Sequence, residues 1–139
     1  MYIGEYIIIS KMAETQYIKY ELEFSIRSSV SILFNSLSTP SGLSEWFSDD
    51  VNCNRNIYTF IWDNSEQDAE LVTMSNNYFV KFRWLDWPKN TFFEFRIEVD
   101  EITNDVILKV IDFAEEDEVE ESKDLWTSQI HDLMKKLGS

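Results

Sequence analysis

Asp112 is the side chain best placed to do proton chemistry, because it is the one acid in the otherwise largely apolar run Val106 to Phe113. A carboxyl held among apolar groups keeps its proton to higher pH than usual and can serve as a general acid or base. The better reading of the two is an acid that faces water at the end of the strand. Tyr58 and Tyr78, both in stretches of strand character, are the other groups available for proton transfer. His131 is the single histidine and lies beside an apolar helical stripe, which suits a surface or boundary imidazole better than a ligand or base. Cys53, in Asn52-Cys53-Asn54-Arg55, has one positive neighbour and no adjacent histidine, so it reads as a free thiol in a polar loop rather than as a nucleophile. The acidic run EEDEVEE, Glu115 to Glu121, lacks the glycine turn and alternating ligands of a calcium loop and reads as the solvated start of a helix. None of this makes a complete catalytic or metal-binding signature, and neither metal nor cofactor is expected.

Such groups need a frame, and 139 residues are enough for one hydrophobic core but not for two stable ones. Aromatic residues make up 15% of the chain, which supplies bulky interior surface. Against 12 Lys and Arg stand 26 Asp and Glu, and a formal charge of −14 repels nucleic-acid phosphates and anionic headgroups. No nucleic acid and no membrane surface is expected as partner. A single cysteine cannot close an intramolecular disulfide, which favours a reducing, cytoplasmic setting. The opening MYIGEYIIISK is too short to span a bilayer and has no basic region ahead of its apolar run. Residues 1–11 are therefore expected to be an extra strand or an extension, with one domain over 12–139.

Hydrophobic period places the elements. Ile18 to Arg27 alternates strictly, with Ile18, Tyr20, Leu22, Phe24 and Ile26 on one face, and predicts a half-buried strand. Ser28 or Ser29 then caps a helix carrying Val30, Leu33, Phe34 and Leu37, which ends near Ser38. Thr39 and Pro40 restart a second short helix with Leu43, Trp46 and Phe47 on its inward stripe, and Ser48-Asp49-Asp50 forms its polar exit. Five antiparallel strands follow at about Ile57 to Trp62, Ala69 to Ser75, Tyr78 to Trp84, Thr91 to Val99 and Val106 to Phe113, joined by turns rich in Asn and Asp. The apolar groups Phe79, Leu85 and Trp87, on the far side of the third of these, imply cover on both faces or an exposed apolar edge. A helix from Glu118 to Leu137 closes the chain, with Val119, Trp126, Ile130, Leu133 and Leu137 in its stripe, Leu125 and Met134 widening it, and Gly138 as its stop.

The order β-α-α-β-β-β-β-β-α resembles that of the START-like superfamily, the helix-grip fold of the α+β class. The segment SVSILFNSLSTPSGLSEWFSDDV, Ser29 to Val51, is similar to the subgroup related to the activator of the ninety-kilodalton heat-shock-protein ATPase, at Leu37, Ser38, Pro40, Gly42, Leu43, Trp46 and Phe47. The resemblance runs from about Met12 to Leu137, rests on a structural motif and includes no catalytic residue. It implies a curved antiparallel sheet of about six strands wrapped around the last helix, with a cavity between them that takes lipid-like or polyketide-like molecules. On that basis Trp46, Phe47, Trp84, Phe93, Phe95, Trp126, Ile130 and Leu133 are the expected lining, against the plain alternative that they are core packing. Three functions follow in order of preference. The first is non-enzymatic binding of a small apolar ligand. The second is a protein-interaction or co-chaperone-like module with a filled core, contacting a partner or a second copy through Trp84, Leu85 and Trp87. The third is an enzyme of cyclase or hydrolase type using Asp112, Tyr58 or Tyr78.

Overall fold

The structure, a computed structural model, describes residues 16–139. The segment 1–11, expected as an extra strand or extension, lies outside the described residues. The described chain runs β1 (Tyr17–Ile26), α1 (Val30–Ser38), α2 (Pro40–Leu43), β2 (Asp50–Asn54), β3 (Ile57–Trp62), β4 (Ser65–Ser75), β5 (Phe79–Trp84), β6 (Phe93–Val99), β7 (Val106–Glu115) and α3 (Val119–Leu137), with a single 3₁₀ turn at Glu116–Glu118 before the last helix. The strands form one curved antiparallel sheet in the order β1-β7-β6-β5-β4-β3-β2. Every consecutive pair from β2 to β7 is a hairpin, and β1 closes onto β7 across the whole chain. This is the helix-grip arrangement.

Seven strands stand where about six were expected. The additional one is β2, which sequence reading assigned to a polar exit and loop. Its pattern leaves only Val51 buried, so it carries no alternation for periodicity to detect. Cys53 consequently sits on an edge strand, exposed, with its thiol 3.2 Å from the Arg55 carbonyl. The chain has only three glycines. Left-handed turn positions therefore fall to Arg55, Asn77 and Asn104, with φ of 59°, 68° and 62°. Asn is the commonest non-glycine residue to tolerate that region, because its short side chain bonds locally to the backbone.

The two short helices are built as one corner. Ser29 Oγ accepts from the Ile32 amide at 3.2 Å, which starts α1. Thr39 ends α1 and begins α2, donating from Oγ1 to the Asn35 carbonyl at 2.8 Å and accepting from the Gly42 amide at 3.0 Å. Helix α2 is shorter than its apolar stripe suggested and stops at Leu43; Trp46 and Phe47 follow in a tight turn, and both are buried. Side chains then tie the corner to its surroundings. Trp46 Nε1 donates to the Ser36 carbonyl at 2.8 Å, Tyr58 Oη to the Ser38 carbonyl at 2.9 Å, and Trp62 Nε1 to the Phe47 carbonyl at 3.2 Å. The first two satisfy carbonyls that the end of α1 leaves open, and the third satisfies one in the turn after α2.

Helix α3 lies on the concave face with Trp126, Ile130 and Leu133 buried. Gly138 adopts φ 70° and returns its amide to the Lys135 carbonyl, which ends the helix. On the convex face Lys109 reaches Glu21, Glu23 and Glu98 at 3.2–3.5 Å.

Gly42 is the point where α1 and α2 touch most closely. A Cβ added there would lie 2.2 Å from the Asn35 carbonyl oxygen and 2.7 Å from Ser36 Cα, both backbone atoms that cannot swing aside. Gly42→Ala is expected to destabilise the protein by about 2–3 kcal/mol, as overpacking of a close contact does, while Glu45→Ala on the exposed side leaves stability within about 0.5 kcal/mol. Urea unfolding midpoints of the two variants check this, and an unshifted Gly42→Ala midpoint would contradict the corner's role.

Candidate functional site

The interior beneath α3 is filled by a continuous layer of rings. Phe93 and Phe95 are fully buried, with Trp46, Phe47 and Trp126 nearly so. Phe47 stands at its centre: its ring is stacked on Trp126 at 5.7 Å, faces Phe60 edge-on at 5.0 Å and lies 5.9 Å from Trp62. Trp84 packs on Phe93 at 4.8 Å, and Phe95 meets Trp126 edge-on at 5.6 Å. Ile130 and Leu133 complete the layer from the helix. The eight residues predicted as lining are thus brought into one cluster. Five of them, Trp46, Phe93, Phe95, Ile130 and Leu133, pack within it.

The other three, Phe47, Trp84 and Trp126, reach an open cleft of about 370 Å³ between the first half of α3 and the ends of β3 and β5. Its remaining wall is Trp62, Gln67, Trp87, Asp112, Ser122, Leu125 and Gln129. Sequence reading did not single out Trp62, Gln67, Ser122 or Gln129. The signal available was on the helix: Ser122 and Gln129 stand four residues before and three after Trp126, so polar groups interrupt the apolar stripe on one face. Leu125, read as widening that stripe, is 61% exposed at the cleft's rim.

Asp112 is the acid of this cleft. The sequence favoured a solvent-facing position for it; instead it is buried, because β7 is covered by α3 at this point. Its Oδ2 accepts from Trp126 Nε1 at 2.8 Å and from the Tyr20 hydroxyl at 3.3 Å, while Oδ1 accepts from the Phe113 amide at 2.7 Å. Tyr20 also hydrogen-bonds Ser122 Oγ. With Tyr20 donating to the carboxylate, Ser122 is the donor to Tyr20, giving a relay from helix to strand to acid. Burial pushes the Asp112 pKa up to about 6, even though the three donors pull the other way. Burial, and then the Asp112 charge, raise the Tyr20 phenol well above its ordinary value.

The other candidates stand apart. Tyr58 spends its hydroxyl on the Ser38 carbonyl, within the corner. Tyr78 belongs to a turn and is 65% exposed. It borders a wider surface groove at the opposite end of β5, lined by Asn76, Asn77, Arg96 and Glu98 together with Val30, Ile97 and Val99. His131 is exposed. The presumed patch Trp84, Leu85 and Trp87 is divided: Trp84 and Trp87 line the cleft, whereas Leu85 faces a groove with Glu66, Asp68 and Asp86. Trp87 rests against the Tyr17 ring at 5.3 Å. Among the described residues no group of His, Cys, Asp and Glu is arranged to hold a metal, and no helix is long and apolar enough to cross a membrane.

The chain belongs to the START-like superfamily, whose domain profile matches residues 12–139. A Bacteroides fragilis protein solved by NMR is 33% identical over 88% of this chain and 90% of its own, with a TM-score of 0.61. The Aha1 dimer from Colwellia psychrerythraea is 18% identical over 86% of this chain and 96% of its own, with a TM-score of 0.74. DynU16 from the dynemicin biosynthetic locus also has a TM-score of 0.74, at 16% identity over 87% of this chain and 47% of its own. No curated protein matches. The last two similarities establish fold alone.

The raised pKa of Asp112 has a definite sign in stability. Between the ordinary value of 3.8 and the folded value of about 6 the native state holds a proton that the unfolded chain releases. Stability from this group is therefore greatest below pH 4, falls as pH rises to about 6, and is level above that. The unfolding free energy of wild type, taken relative to Asp112→Asn, should fall by about 2–3 kcal/mol from pH 4 to pH 7. Urea melts across that range test it; parallel curves for the two proteins would mean that Asp112 titrates normally.

Proposed function

We propose that this protein binds a small apolar molecule in the cleft between α3 and the ends of β3 and β5. The observation that carries the reading is the composition of the wall: indole and phenyl rings surround a single buried carboxyl, with Gln67, Ser122 and Gln129 beside it, so apolar burial gives affinity and a few polar groups give orientation. The volume of about 370 Å³ lies at the lower end of the range of small-molecule sites and suits a compact ligand rather than a long-chain lipid. The family adds a fold in which the space between sheet and helix is the natural place for a ligand. An enzymatic reading has one titratable group in the cleft, Asp112, already engaged by Trp126 and Phe113. A second reading, self-association, is favoured by the dimeric state named for the Colwellia relative. It predicts a native mass that doubles with concentration.

N-phenyl-1-naphthylamine, an uncharged probe, should brighten on binding wild type. Ser122→Phe, which places a ring in the cleft, should cut its affinity at least about tenfold, the equivalent of roughly 1.4 kcal/mol. Native mass spectrometry of freshly purified protein should show a retained apolar adduct. A clean apo mass together with no probe signal would sink the binding function.

A further inference from the structure

Within the binding site proposed above, on which this inference rests, we infer that the ligand is an organic cation: an apolar amine or alkylammonium whose charged end sits between the tryptophan rings and Asp112. Four of the chain's five tryptophans, Trp62, Trp84, Trp87 and Trp126, line this one cleft. The faces of indole rings carry negative quadrupole and attract cations more strongly than any other side-chain ring. Among the described residues the only ionisable side chain in the wall is an acid, and no Lys or Arg lines it. Lys123, next to Ser122 in sequence, lies over the Tyr20 ring at 5.9 Å from its centroid and pairs with Glu120 at 3.7 Å.

The ground around the mouth has the same sign. On one side the cleft adjoins a groove that shares Trp87, Ser122 and Leu125 with it and brings in Glu118 and Glu121. On the other it adjoins the groove of Glu66, Asp68 and Asp86, sharing Gln67. Repulsion from Glu115, then burial, then repulsion from Asp117 and Glu121 raise the pKa of Glu118, consistent with a negative local field. An anionic ligand would be repelled at every stage of approach, whereas a cation is drawn in.

The hydrogen bonding of Asp112 narrows the chemistry further. Of about four acceptor positions on a carboxylate, Trp126, Tyr20 and the Phe113 amide take three. Asp112 therefore offers charge and at most one further hydrogen bond. A primary ammonium brings three N–H donors, more than Asp112 alone can match, so the rest would fall to the Gln67, Ser122 and Gln129 oxygens of the wall. A tertiary amine brings one, and a quaternary ammonium none while its carbon-bound surface packs on the rings.

Benzyltrimethylammonium and its uncharged isostere neopentylbenzene separate charge from shape. Titrated into wild-type protein and followed by tryptophan fluorescence, the cation should bind at least about tenfold more tightly than the isostere. Asp112→Asn should abolish most of that preference. Equal binding of the two probes to wild type would overturn the cation assignment while leaving an apolar binding site in place. Failure of both, together with failure of N-phenyl-1-naphthylamine, would remove the binding site itself. The wild-type comparison stands whatever Asp112→Asn does to folding.

Discussion

Trp126 joins the molecule's parts through two chemically different surfaces. Its face stacks on Phe47, at an interplanar angle of 12°, and so holds the helical corner against α3. Its edge donates Nε1–H to Asp112 and so holds α3 against β7. A phenylalanine could provide the first contact but not the second, and a histidine the second without the area of the first. Because the same ring also meets Phe95, the sheet, the corner and the last helix share one indole. The placement of the cleft follows from this: what lies beyond Trp126 towards the start of α3 is unfilled, and what lies on the Ile130 and Leu133 side is solid.

The solid side explains why rings predicted to line a cavity turned out to pack. A curved sheet and a straight helix leave uneven space between them. In this chain the larger part is taken by Phe60, Phe82, Phe93 and Phe95, all fully buried. Interior space of that kind is costly to leave empty, since the walls lose dispersion contacts. The open space lies at the ends of β3 and β5. There the wall is made of groups that tolerate partial hydration, such as the half-buried Trp62, Trp84 and Trp87 and the amide of Gln129.

The architecture was legible in the sequence wherever pattern and burial coincide. The alternation of β1, the Thr39-Pro40 junction and the stripe of α3 each depend on local chemistry that reads along the chain. β2 was not legible, because an edge strand with one buried side chain has no period. The aromatic cluster could be named from spacing, but the division between packing and cleft could not. That division depends on where the helix passes over the strand ends, which no local pattern records. Asp112 shows both limits at once. Its type and apolar neighbours marked it as unusual, yet its burial is decided by Trp126 and Tyr20, respectively 14 and 92 residues away along the chain.

Burying a carboxyl next to an aromatic wall is a poor way to gain stability. An ionised group removed from water loses solvation that even good hydrogen bonds only partly return, and apolar replacements of buried ionic groups are often neutral or stabilising. The raised pKa of Asp112 is the measure of that deficit here. The groups around it are arranged to hold the charge in place, with Ser122 orienting Tyr20 and Tyr20 and Trp126 together fixing Oδ2, and no buried side-chain polar atom among the described residues is left without a partner. A core selected for stability alone would need neither the acid nor its three donors. A positive charge entering the cleft would restore what burial takes from Asp112, so the arrangement that weakens the empty protein is the one that would strengthen a cationic complex.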